Sequence, residues 1–348
     1  MNDPIVTDRR ELASTATGSI DADPVVHTEP LFAGGTLPLV VSSRDTAVTL
    51  DRFTEWLTAH RAFIERAVLT HGALLFRGFP VHSLTDFEAV TKAASDQLIE
   101  YSERSSPRSQ VGDKVYTSTD YPASRRIFPH NEHSYALTYP LHLFFGCLEP
   151  ATRGGETPLV NIRNVTNRIS PQTRERFRTR GWMWVRHFGD GMGLSWQTTF
   201  QTHDKAAVEA YCRRSKIDAE WLEGDRLRTR QVRPVFGTHP RTGETLWFNH
   251  LTFFHISTLD RELRDVLLAD LPEDELPNNT YYGDGARIEP EIMDELRAAY
   301  ERETITFSWL RGDVLLLDNM LTAHARASYA GPRRVLVAMA DPVTRTDF

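Results

Sequence analysis

Residues 130 to 132 read His-Asn-Glu, an imidazole and a carboxylate two positions apart. In an extended strand positions i and i+2 share a face, so His130 and Glu132 can converge while Asn131 and His133 point away. That pair suits a divalent transition metal but needs a third ligand. The spacing alone is weak, because His27-Thr28-Glu29 repeats it in a polar stretch where solvated side chains are the better reading. A candidate third ligand is His324, which follows the apolar run DVLLLDN and precedes an Arg-containing strand. Two histidines and one carboxylate occupy one face of an octahedron and leave three positions open, the arrangement of non-haem Fe(II) oxygenases. A bidentate 2-oxo acid can take two of those positions and O2 the third. Arg334 alternates with Leu336, Ala338 and Ala340 on one face of an otherwise apolar strand, where a charge requires a partner. A planar guanidinium fits a carboxylate such as that of 2-oxoglutarate, the alternatives being an internal salt bridge or an exposed strand position. The same alternation turns Arg333 the other way, provided the strand begins without a bulge.

Three further polar residues lie beside these. Arg326, two positions after His324, is balanced between binding a substrate carboxylate and pairing with an acid at the surface. Asn249, in LWFNH, either hydrogen-bonds substrate or ends a strand, and the structural role is favoured. His133 reads as structural, with a hydrogen bond to a metal ligand as its functional alternative. Trp182, Trp184, Trp196, Trp221 and Trp247 read as core.

Positioning these groups falls to many short strands. KVYTST, HLFFGCL, TPLVNI, GWMWVRHF, TLWFNH, ITFSWL, DVLLLDN and RRVLVAMA are separated by turn chemistry such as RGGE, HPRTGE and RGD. The pattern predicts a mostly β fold with helices, an antiparallel sandwich or jelly roll. Upstream, a helix from about Leu50 is apolar at Phe53, Trp56, Leu57, Phe63 and Ile64. A second carries a capping box at Thr85 to Glu88, and ALLFRGF between them reads as a buried strand. Residues 1 to 35 read as a flexible arm and 36 to 348 as a single domain. A helical insertion is expected at about 165 to 230, with helix HDKAAVEAYCRRS inside it, and a further helix at EIMDELRAAYERE.

The 348 residues carry a formal net charge of -7, which argues against a nucleic-acid backbone as the main partner. No run of 18 apolar residues and no apolar stretch near the start point to a membrane or export, so the expectation is a cytoplasmic protein. Cys147 and Cys212 alone make neither a disulfide framework nor a multi-cysteine zinc site. A small molecule or a protein is the expected partner.

Read as a set, HNE at 130 to 132, GGETPLV at 154 to 160, HPRTGETLWFN at 239 to 249, FSWLRGDVLLLDNMLTAH at 307 to 324 and GPRRVLVAM at 331 to 339 resemble the TauD/TfdA-like Fe(II)/2-oxoglutarate dioxygenases, within them the SyrP-like branch. The resemblance spans about residues 70 to 345 in the expected motif order. It implies a double-stranded β-helix, iron on His130, Glu132 and His324, and 2-oxoglutarate held by Thr157 and Arg334, with O2 as cosubstrate. Thr157 taken alone would be a turn residue. In the related halogenases a small residue replaces the carboxylate, so an intact Glu132 implies hydroxylation. The implied substrate is an amino acid or an amino-acid derivative, free or tethered to a carrier protein, in natural-product biosynthesis. Desaturation and epoxidation use the same iron site. A zinc hydrolase is a rival from another class, but the helical H-E-x-x-H turn that such sites commonly use is absent.

Overall fold

The computed structural model describes residues 23–345 except 101–102, 104–108, 119–120 and 190–192. Among these residues the chain is mostly β with helices. A nine-stranded sheet runs in the order Val26–Pro30, Leu39–Ser43, Ala73–Arg77, Val314–Asp318, Thr138–Glu149, Arg334–Thr344, Val115–Thr117 and Gln110–Gly112. Leu98–Ile99 also pairs with Arg334–Thr344. All of its pairings are antiparallel except that between Leu39–Ser43 and Ala73–Arg77.

Both faces of this sheet are buried. One packs Phe144, Leu316, Leu336 and Ala338 against Phe53, Trp56 and Phe87 of the N-terminal helices. The other turns Leu143, Phe145, Leu315, Val335, Val337 and Met339 toward Leu159, Phe307 and Trp309. Each Leu, Val, Met or Phe among them contributes about 1.5–3 kcal/mol by leaving water. A second sheet of four strands, ordered Thr304–Ile305, Leu159–Asn161, Thr322–Arg326 and Ile127–His130, carries both candidate metal-ligating histidines.

Several sequence expectations change here. Residues 1–22 of the expected arm lie outside the described residues, but 26–30 form an edge strand paired with Leu39–Ser43. Asp23 anchors that strand by accepting hydrogen bonds from the Val25 and Val26 N–H groups and from Trp56 Nε1. The helix begun at Leu50 is two helices, Leu50–Ala59 and Arg61–His71, divided at His60. The second stops at Gly72, whose φ of 81° is left-handed and whose added Cβ would meet Thr322 Oγ1 at 2.5 Å. The capping box of helix Leu84–Ala94 uses Ser83 and Asp86, two positions before the expected one. Of ITFSWL only Ile305 pairs, as the second residue of the short strand Thr304–Ile305. The insertion is not purely helical. Helices Pro171–Arg180, Trp196–Phe200 and Lys205–Arg214 accompany a third sheet ordered Asp218–Leu222, Arg226–Arg233, Trp182–Phe188 and Asn278–Tyr282, whose last strand lies beyond residue 230.

Candidate metal centre

His130 ends one strand of the four-stranded sheet, and His324 lies directly opposite it on the neighbouring strand. That register brings the two rings to 4.4 Å between centroids. Glu132 comes to the same point by another route. Extended pairing stops at His130, and residues 132 to 135 form a turn in which His133 has φ +54°. The two side chains therefore converge as the i, i+2 rule expects, but through a turn and not through an extended strand. Glu132 Oε2 lies 4.0 Å from His130 Nε2 and 3.9 Å from His324 Nε2, and the three ligand atoms all fall within 4.8 Å of one another.

Those separations are too long for direct hydrogen bonds, yet the atoms face a common point. All three side chains are buried, which makes a charge-poor void costly and a divalent cation favourable. His130 Nδ1 donates to the Phe128 carbonyl at 2.9 Å, the tautomer that puts a lone pair rather than a proton on Nε2, as a metal ligand requires. The donor set, two imidazoles and a carboxylate, fits a non-haem iron. His133 does not point away as alternation suggested. Its Nε2 is 3.7 Å from Glu132 Oε1, on the carboxylate oxygen turned from the other two histidines.

Two residues the sequence reading passed over complete the surroundings. Asn319 clamps the Glu132 peptide: its Oδ1 accepts from the Glu132 N–H at 2.7 Å, and its Nδ2 donates to the Glu132 and Pro140 carbonyls, each at 2.8 Å. His250 holds Ser134 Oγ at 2.6 Å through Nδ1, and its ring lies 5.4 Å from that of His130. Burial, reinforced by neighbouring His130, holds this imidazole well below its ordinary pKa and therefore neutral. Phe253 lies 4.7 Å from the His130 ring, and Phe254 stacks on His250 at 4.9 Å, so one wall of the site is aromatic. A histidine directly after Asn249, two positions past the apolar run LWF, was the available signal for His250.

Thr157 is buried, and its Oγ1 accepts a hydrogen bond from Trp309 Nε1 at 3.1 Å. Arg334 is exposed and stands opposite Glu149, so the expected inward guanidinium is not there. Alternation along the strand is regular, since the register shift skips Leu148 on the partner strand. The error lies in which face is inward. Leu336, Ala338 and Ala340 pack under the N-terminal helices, whereas Val335, Val337 and Met339 face the second sheet, and Arg333 continues that inner row.

Arg333 donates from Nε to the Gly155 carbonyl at 2.8 Å and from NH1 to Ser118 Oγ at 3.0 Å. It makes no ion pair among the described residues. Burial, together with neighbouring Arg326, pulls its pKa down to about 10, so it is still a cation at neutral pH. Gly155, at φ +76°, lets it lie this close, because an added Cβ would sit 3.0 Å from Arg333 Cδ. Arg326 is buried rather than at the surface. Its guanidinium donates to the Tyr121, Pro122 and Arg125 carbonyls, tying down the segment that leads to His130. Asn249 spends both ends of its amide on backbone, Nδ2 on the Val235 carbonyl and Oδ1 on the Leu251 N–H, which corrects its candidacy as a substrate ligand.

Comparison with known proteins bears on this geometry. Residues 34–339 match the family "Taurine catabolism dioxygenase TauD, TfdA family". The chain is 37% identical over 317 residues to the dapdiamide synthesis protein DdaC of Enterobacter agglomerans, covering 91% of this chain and 95% of that protein. It is 30% identical over 309 residues to the clavaminate synthase-like protein At3g21360 of Arabidopsis thaliana, covering 84% and 88%. Among solved structures it is similar in fold to PvcB of Pseudomonas aeruginosa, with TM-score 0.53 and 15% identity over 92% of each chain. Among the described residues no helix is long and apolar enough to cross a membrane.

Proposed function

Because the chain belongs to the TauD, TfdA dioxygenase family and is an iron- and 2-oxoglutarate-dependent dioxygenase, we propose that it hydroxylates a small amino-acid-derived substrate in natural-product biosynthesis. Family membership also overturns the zinc-hydrolase alternative. The observation that carries the reading is the convergence of His130 Nε2, Glu132 Oε2 and His324 Nε2 on one point between buried strands. In it, these three side chains hold the iron, and the nine- and four-stranded sheets are the two walls of a double-stranded β-helix. Bound iron with 2-oxoglutarate and O2 supplies the oxidising power, releasing succinate and carbon dioxide.

The rest is the work of the chain's own residues. Arg333, in place of Arg334, meets the far carboxylate of 2-oxoglutarate with the guanidinium donors that its bonds to Gly155 and Ser118 leave over. Thr157 donates its hydroxyl proton to the cosubstrate, because the Trp309 N–H already occupies the acceptor side of that oxygen. Phe145, whose ring is 5.0 Å from His324, and Phe253 exclude water from the reacting centre. An intact Glu132 keeps the third protein ligand in place and favours hydroxylation over halogenation. DdaC is named for dapdiamide synthesis, and PvcB is described as an Fe, alpha-ketoglutarate dependent oxygenase from an isonitrile synthetic pathway; both support a biosynthetic role.

The test offers the protein free amino acids and their carrier-bound thioesters. Succinate release and product mass are read in the presence of Fe(II), ascorbate and 2-oxoglutarate. A gain of one oxygen is expected. A loss of two hydrogens would replace hydroxylation by desaturation, and no 2-oxoglutarate binding by the iron-loaded protein would overturn the site assignment.

A further inference from the structure

Glu132 presents a mechanical problem that its strand-borne partners do not. His130 and His324 sit in a hydrogen-bonded ladder that fixes their backbone, whereas Glu132 lies in a turn. We propose that Asn319 is the positioning residue for the metal-binding carboxylate, acting through the Glu132 peptide; this rests on the reading that His130, Glu132 and His324 hold a metal.

The geometry is that of a substitute strand. In an antiparallel pair one residue donates to and accepts from the same partner. The Asn319 side chain does this to Glu132, accepting from its N–H and donating to its C=O, and spends its second Nδ2 proton on Pro140. The backbone of Asn319 joins in, its carbonyl accepting from Asn131 Nδ2 at 2.6 Å and its N–H donating to the Leu141 carbonyl at 2.7 Å. Only a primary amide can donate and accept in this way. An aspartate of the same shape keeps the acceptor, loses both donors, and turns an anion toward two carbonyl oxygens.

Asn319 is itself held. Neighbouring Asp318 accepts from the Met320 and Leu321 N–H groups and from buried His239 Nε2, which shapes the turn that launches Thr322–Arg326 and His324. The carboxylate and the distal histidine are therefore set by one turn. Displacement of that turn moves both ligands.

The test measures Co(II) and Fe(II) affinity, the Co(II) ligand-field spectrum and the denaturation midpoint for Asn319→Asp and Asn319→Ala. Asn249→Ala serves as the control, since Asn249 is also a buried asparagine bonded to backbone at both ends. The expected result is metal binding weaker by about 10- to 100-fold with an altered Co(II) spectrum in the Asn319 variants, against less than about threefold in Asn249→Ala at comparable loss of stability. Wild-type metal affinity in Asn319→Asp would overturn the proposal, as would a loss in Asn249→Ala that tracks its stability. Wild-type protein that takes up no metal would overturn both the proposal and the site reading. If neither Asn319 variant folds, hydrogen exchange on the wild type decides. Metal must slow exchange at residues 131 to 141 more than at 245 to 252, and equal protection overturns the proposal.

Discussion

Two His-x-Glu pairs in this chain have nearly the same internal geometry and different surroundings. His27 Nε2 and Glu29 Oε1 are 3.9 Å apart, while His130 Nε2 and Glu132 Oε2 are 4.0 Å apart. The first pair lies in a true strand, where alternation puts both side chains on one face, but they are 39% and 63% exposed. The second pair is 10% and 3% exposed, has His324 as a third donor and has a side-chain clamp behind the carboxylate. At the edge strand water solvates both groups and a cation gains little. In the interior desolvation makes the same two groups depend on one. A ligand motif is therefore a statement about the surroundings as much as about spacing.

The largest test of that contrast removes one carboxylate from each copy. Glu132→Ala should abolish Fe(II) binding and 2-oxoglutarate turnover, whereas Glu29→Ala should leave both within about twofold and change stability by no more than about 0.5 kcal/mol. Retained metal binding in Glu132→Ala would break the comparison. The adjacent arginines repeat it with a guanidinium. Arg333→Ala should raise the KM for 2-oxoglutarate by about 10- to 150-fold, the equivalent of a lost charge-assisted hydrogen bond of about 1.5–3 kcal/mol, with little effect from Arg334→Ala.

The pKa of Arg333 adds a pH dependence. A base whose pKa is lowered to about 10 is charged below that value and loses its charge as pH rises through it. Affinity for 2-oxoglutarate, followed by titration calorimetry, should show no loss from Arg333 between pH 6.5 and 8.5 and should decline as pH approaches 10. A smaller effect is expected from Trp309→Phe, which removes one hydrogen bond from Thr157. It should raise the same KM about two- to twelvefold, as expected for about 0.5–1.5 kcal/mol. The smallest is a helix cap: Ser83→Ala should cost about 1 kcal/mol in urea denaturation, and Thr85→Ala, two positions inside the same box, much less.

What could be read from the sequence follows the same division between pattern and surroundings. Apolar runs such as DVLLLDN and HLFFGCL announced strands because a buried strand needs little beyond its own composition. GWMWVRHF did so too, although the sheet it joins draws Asn278–Tyr282 from far along the chain, which no local window contains. The identity of the three converging residues was legible from residue types, motif order and the distal histidine. The turn at Glu132 was not, because His133 adopts a positive φ that nothing nearby in sequence advertises.

Arg333 shows the limit most clearly. Alternation correctly separates it from Arg334, but with both faces of the strand buried, alternation alone does not say which face is the interior of the site. Asn249 and Asn319 were indistinguishable as letters. One joins two segments 14 positions apart, and the other grips a ligand-bearing peptide from a distant part of the chain.

That grip spans 187 positions, from Asn319 to Glu132. During synthesis the first histidine and the carboxylate leave the ribosome long before the amide that fixes them and the histidine that completes the set. The closure joins the ends of a very long loop, so the order in which these parts come together is set by chain topology rather than by local propensity. The three converging side chains meet only once the last strands have docked, so a metal site made of them belongs to the finished fold. Added metal should raise the thermal midpoint by selective binding to the native state.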